Sequence, residues 1–127
     1  MAGSAFENLD LACADCGRKI GENPSKDLYK KVTNALSVLT DQGLYALFLF
    51  LDKSNQKSPV ILKTLRAFLK NEPKNQPLLE NKEDVFKEIA LLSQNIDNLI
   101  LANELAKQTL VYARYHAKRE RNSEVIS

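Results

Sequence analysis

Apolar residues recur every three or four positions along most of the chain, and no stretch sustains a two-residue alternation. That periodicity, with most of the Gly and Pro residues between the periodic segments, predicts an all-α fold. A first helix starts at Ser4, which stands at capping-box spacing from Glu7. Phe6, Leu9, Cys13, Cys16 and Ile20 form its apolar face, and Gly21 suits the residue just past its end. A second starts at Asn23-Pro24, with Leu28, Val32, Ala35, Leu36 and Leu39 inward, and stops at Gly43. The third is Leu44–Leu51, eight residues without a polar break, holding three of the nine aromatics. A segment apolar on every side is expected to be enclosed by protein. The fourth begins at Ser58-Pro59. It turns Ile61, Leu62, Leu65, Phe68 and Leu69 inward and carries Lys63, Arg66 and Lys70 opposite. Pro73 and Pro77 bound a polar connector. A fifth helix spans about Asn81 to Gln94, with Glu83 and Asp84 near its positive end. The sixth runs from about Asn95 to Arg121, with Leu99, Ala102, Ala106, Leu110, Ala113 and Ala117 as its stripe. The four alanines allow close approach by a neighbour. The tail, 122–127, is expected to fray. The chain thus reads as one domain, 1–127, a bundle of about six helices.

No segment reaches the roughly 20 apolar residues of a membrane span. The opening MAGSAFENLD lacks the basic start and apolar stretch of a signal peptide, so no membrane partner and a cytoplasmic location are expected. A length of 127 residues, with 44% apolar and 27% charged, suits one globular core. The net charge of +2 hides a segregation. Residues 52–74 hold six bases and two acids, 80–104 six acids and two bases, and 107–121 five bases and one acid.

Candidate chemistry is sparse. Cys13-Ala14-Asp15-Cys16 is a CxxC, but a structural zinc needs four ligands, and the chain has two Cys and one His. Both cysteines fall on the apolar face of the first helix, which reads them as buried and structural. His116 has no local cluster of metal ligands and reads as a surface residue. Glu80, Glu83, Asp84 and Glu88 read as a solvated acidic face. No phosphate-binding or zinc-protease motif is present, so neither catalytic activity nor a cofactor is expected. What remains is charge. At 100° per residue, Lys107, Arg114, Lys118 and Arg121 line up within about 60°. Tyr115 lies beside them and Tyr112 further round, where either could stack on a base. Lys63, Arg66 and Lys70 form a second stripe. Cations one helical turn apart suit phosphate contact without base reading.

Two segments carry a family resemblance. One is Tyr29-Lys30-Lys31-Val32 through Leu39-Thr40-Asp41-Gln42-Gly43-Leu44-Tyr45-Ala46-Leu47-Phe48-Leu49-Phe50-Leu51: an amphipathic helix, a Gly-Leu junction and a buried helix. The other is Leu99 through Lys118, where an alanine stripe, including Ala102, Ala106 and Ala117, leads into aromatic and basic residues. Together they resemble the small, all-helical subunit of type III-B CRISPR effector (Cmr) complexes, a match that extends in helix order and spacing over roughly 70% of the chain. Tyr112 stands where members of that family often carry Trp. The resemblance implies a subunit without an active site that acts in antiviral defence. Several copies would stack head to tail into a short filament beside the backbone and large subunits of a ribonucleoprotein. Their basic faces would meet guide RNA and target RNA through the nucleic-acid backbone. The residues expected to do so are Lys107, Arg114, Lys118 and Arg121, then Lys63, Arg66 and Lys30. A helical protein–protein adaptor with no nucleic-acid role is the alternative.

Overall fold

Six helices and no strand make up the described part of the computed structural model. It describes residues 8–24, 27–53 and 59–126, apart from the side chains of 53 and 121–126. In chain order they are α1 (Leu9–Gly21), α2 (Leu28–Gln42), α3 (Leu44–Lys53), α4 (Pro59–Asn71), α5 (Val85–Leu92) and α6 (Ile96–Ile126). No described helix is long and apolar enough to cross a membrane.

Local chemistry sets most of the ends. The Ser4–Glu7 capping box lies outside the described residues. Asn8 caps α1 instead, its Oδ1 accepting the Leu11 N–H at 2.9 Å. The second helix begins later than Asn23-Pro24 suggests. The Asn23 N–H donates to the Ile20 carbonyl at 3.2 Å, so Asn23 closes α1 rather than opening α2. The chain then enters α2 through Asp27 in a left-handed conformation, φ 58°. Gly43 ends α2 as expected. Its N–H donates to the Leu39 carbonyl, and its φ of 94° with ψ −177° is a conformation open to glycine alone. Its own carbonyl accepts from Leu47, so one glycine both closes α2 and opens α3. Pro59 stands first in α4, where its missing N–H loses nothing. Asp84 caps α5 by accepting the Phe86 N–H at 3.0 Å. The last helix runs on to Ile126, so its backbone extends five residues past Arg121.

The core is one cluster fed by every helix. Leu44, Leu47, Phe48 and Leu51 of α3 are buried against it, with α2, α4 and α5 packed around them. The enclosure is incomplete, however. Tyr45 is 49% and Leu49 37% exposed, so the unbroken apolar run keeps an outward face. Its eight residues go all round the helix, and the neighbouring helices leave the side of Tyr45 and Leu49 partly open. The connector after α4 is also less polar than its composition suggests. Leu78 and Leu79 are buried, and both of their N–H groups donate to the Leu69 carbonyl at 3.0 Å.

The tightest contact is between α1 and α6, which run parallel. Gly17 lies against Thr109, Tyr112 and Ala113, and Gly21, one turn on, against Ala113, His116 and Ala117. A Cβ on Gly17 would sit 2.7 Å from the Thr109 carbonyl oxygen. One on Gly21 would sit 2.7 Å from that of Ala113. The alanine stripe of α6 therefore does admit a close neighbour, and α1 supplies two glycines to meet it. Gly21 is a helical packing residue, not the residue past the helix end that its position suggests. His116 is half-buried over it rather than free on the surface.

Candidate nucleic-acid interface

The long, anchored α6 fixes the position of the basic residues. Lys107, Arg114 and Lys118 are exposed on one side of it. Steps of seven and four residues separate them by roughly 10 and 6 Å along the axis. Among the described residues, none of the three has a carboxylate within ion-pair distance. The side chain of Arg121, expected to extend the stripe, lies outside the described residues.

Arg114 is oriented by α2. Its guanidinium carbon lies 5.5 Å from the centre of the Tyr29 ring, and its Nη2 donates to the Tyr29 Oη at 3.2 Å. This stacked cation holds one wall of an open groove of about 250 Å³ between α2 and α6. Tyr29, Leu36, Val111, Arg114, Tyr115 and Lys118 line it. The floor is apolar, two cations stand at the rim, and none of the six is acidic. Tyr115 is 69% exposed. Tyr112 is engaged elsewhere, its Oη donating to Asp10 Oδ1 at 2.9 Å, so it is tied to α1 rather than free to stack. That bond to a carboxylate raises the Tyr112 phenol above its ordinary range.

In the second basic stripe, two of the three cations are paired with Glu88. Arg66 is bound inward. Its Nε donates to Glu88 Oε1 at 2.8 Å, and its Nη2 donates to Glu88 Oε2 at 3.0 Å and to the Lys82 carbonyl at 3.1 Å. Lys70 Nζ approaches Glu88 Oε2 at 3.2 Å, and the Lys82 N–H donates to the same oxygen at 2.8 Å. Arg66 is thus paired with a carboxylate 22 residues away in sequence, which Lys70 shares. Lys63 remains exposed on α4 without its neighbours, and Lys30 is exposed on α2 but outside the groove.

The same cluster corrects the reading of the acidic segment. Glu88 is buried at 1% exposure, not solvated. Burial alone would raise its carboxyl, but bonds from Arg66, the Lys82 N–H and Lys70 outweigh that and hold it below its ordinary value. Glu83 meets Lys87 at the surface, and Asp84 is the α5 cap.

Both cysteines are free thiols in the core, as their place on the α1 stripe suggests. Cys13 Sγ donates to the Leu105 carbonyl at 3.5 Å. Burial pushes the Cys16 thiol up to about 12, so it stays protonated at neutral pH. Among the described residues no three of His, Cys, Asp and Glu converge as a metal site.

Sequence reasoning found Arg114, Tyr115 and Lys118 from the wheel of a single helix. It missed Tyr29 and Leu36 as groove walls, because Tyr29 meets Arg114 across 85 residues of chain. Only their shared side of α2, seven residues apart, hinted at a common surface. No protein-family model, curated protein or solved structure matches the chain.

Proposed function

We propose that this chain is a non-catalytic small subunit of a type III CRISPR RNA-guided effector complex. It acts in the cytoplasm and holds guide and target RNA by their phosphates while other subunits do the chemistry. The observation that carries the reading is the α6 stripe of Lys107, Arg114 and Lys118. Among the described residues these three exposed cations have no carboxylate within ion-pair distance, whereas Arg66 and Lys70 share Glu88. In RNA-guided effectors base pairing reads the sequence, and the protein need only grip the backbone. The resemblance around the Gly43 junction and the Leu99–Lys118 segment supplies the rest of the reading: several copies stacked along the assembly beside its backbone and large subunits.

Exposed apolar residues favour a protein contact as well. Ile96 is 63% and Ile100 55% exposed. They precede Lys107 by eleven and seven residues, within about 20° of it on the helix wheel. In the adaptor alternative, this end of α6 carries the whole function. Purification of the tagged chain with and without nuclease separates the two. The proposal expects RNA to co-purify with the partner subunits. A set of protein partners unchanged by nuclease, with no RNA in either preparation, would leave the adaptor standing.

A further inference from the structure

The α2–α6 groove offers more than phosphate contact. Its volume is about 250 Å³. That is below the usual range for a drug-sized ligand. Its lining combines three kinds of group. Leu36 and Val111 give an apolar floor, Tyr29 and Tyr115 give aromatic surface, and Arg114 and Lys118 give positive charge, with no acid among them. The cations alone would accept any phosphate or carboxylate. The exposed Tyr115 ring over an apolar floor adds a place for a flat, uncharged ring beside that anion. Arg114 is held in place by Tyr29, with only one of its five N–H donors bonded to the Tyr29 hydroxyl. It can therefore meet a phosphate without first being ordered.

We infer that this groove binds one unstacked nucleotide of single-stranded RNA, the base lying on Tyr115 and the flanking phosphate between Arg114 and Lys118. A duplex cannot fill it, because paired bases keep their faces within the stack. The site would thus take a strand end, a bulge or an unpaired segment. Stacking of this kind tolerates any base, since each has a π-face. The inference rests on the RNA-binding reading above but is narrower than it.

The test uses the full chain and three probes of matched length: labelled oligouridine, an abasic strand of the same backbone charge, and an RNA duplex. Binding is followed by fluorescence anisotropy across a salt series. Oligouridine should bind on the order of tenfold more tightly than the abasic strand. Tyr115→Ala should abolish that difference without changing the salt slope, and Tyr115→Phe should restore it. Lys118→Gln should instead lower the slope by about 0.7. Equal binding of oligouridine and the abasic strand would overturn the nucleotide site while leaving phosphate contact intact. A chain that binds neither strand would also overturn it, and RNA retention by the assembled complex then tests the wider reading on its own.

Discussion

Replacing Gly17 with Ala should destabilise this protein, although the same change in an isolated helix would stabilise it. Alanine is favoured over glycine in a helix interior by about 1 kcal/mol. At Gly17 the added Cβ would lie 2.6 Å from the Tyr112 Cβ, 2.7 Å from the Thr109 carbonyl oxygen and 2.9 Å from the Ala113 nitrogen. Two of those three atoms are backbone, so no rotamer change relieves the clash. α1 must move off α6, loosening the contacts of Cys13, Cys16 and Ile20, which are all buried in the core. Overpacking of this sort costs about 1–3 kcal/mol, and a rigid backbone neighbour puts Gly17 at the upper end. Set against the propensity gain, the net loss is about 2 kcal/mol. For a domain of this length that is a fall in Tm on the order of 6–10 °C. Thermal and urea unfolding followed by circular dichroism would measure it, with Gly21→Ala as a second site of the same kind. Gly17→Ala and Gly21→Ala proteins as stable as the parent, or more so, would show that α1 and α6 are not in this close register.

Other perturbations read different parts of the fold. Gly43→Ala should cost about 1–3 kcal/mol from backbone strain alone, since a Cβ there meets no neighbour. Asn should not rescue it, because φ 94° with ψ −177° is not the left-handed helical region that Asn tolerates. Arg66→Ala should cost about 1.5–3 kcal/mol by removing two of the bonds to the buried Glu88 carboxylate, which keeps Lys70 and the Lys82 N–H, yet leave RNA binding unchanged below its Tm. A weakened RNA affinity with unchanged stability would return Arg66 to the interface. The Glu88 carboxyl is held below its ordinary value. Its contribution is therefore complete above about pH 4.3, the unfolded value, and is lost as the pH falls through the lower folded value. Glu88→Gln should flatten that acid limb of the stability profile, and an unchanged limb would assign it to other carboxylates. Cys16, raised to about 12 by burial, should resist thiol reagents in the native state at pH 8 and react on unfolding. Fast native-state modification would contradict its burial.

Much of the bundle was legible because it is written locally. The fourth-helix stripe of Ile61, Leu65, Phe68 and Leu69, the Gly43 stop and the Pro59 start depend on residues within a turn or two of each other. The α6 alanine stripe was legible too, but its partner was not. Taken locally, Gly17 is a weak helix residue and Gly21 a helix end, and only the crossing with α6 explains either. Glu88 and Arg66 each sit among exposed charges in sequence, so nothing nearby signals that they are buried or half-buried together. The outward face of α3 failed for the opposite reason. Composition says that Tyr45 and Leu49 are apolar, but burial depends on how a helix's neighbours are placed, and those of α3 leave the side of Tyr45 and Leu49 partly open. For the candidate interface, one wall was visible in the α6 wheel, while the wall contributed by α2 exists only after the chain has folded back on itself.

The α6 stripe is proposed to grip RNA phosphates. Its most direct test is the salt dependence of target-RNA binding by the assembled complex carrying Arg114→Glu and Lys118→Glu. Both side chains are exposed, and the stack of Arg114 on Tyr29 is worth only about 0.5–1 kcal/mol, so folding and assembly should persist. RNA retention should weaken, and the slope of log K against log salt should fall by about 1.4 for each copy in contact. An assembled complex with unchanged affinity and an unchanged slope would contradict it.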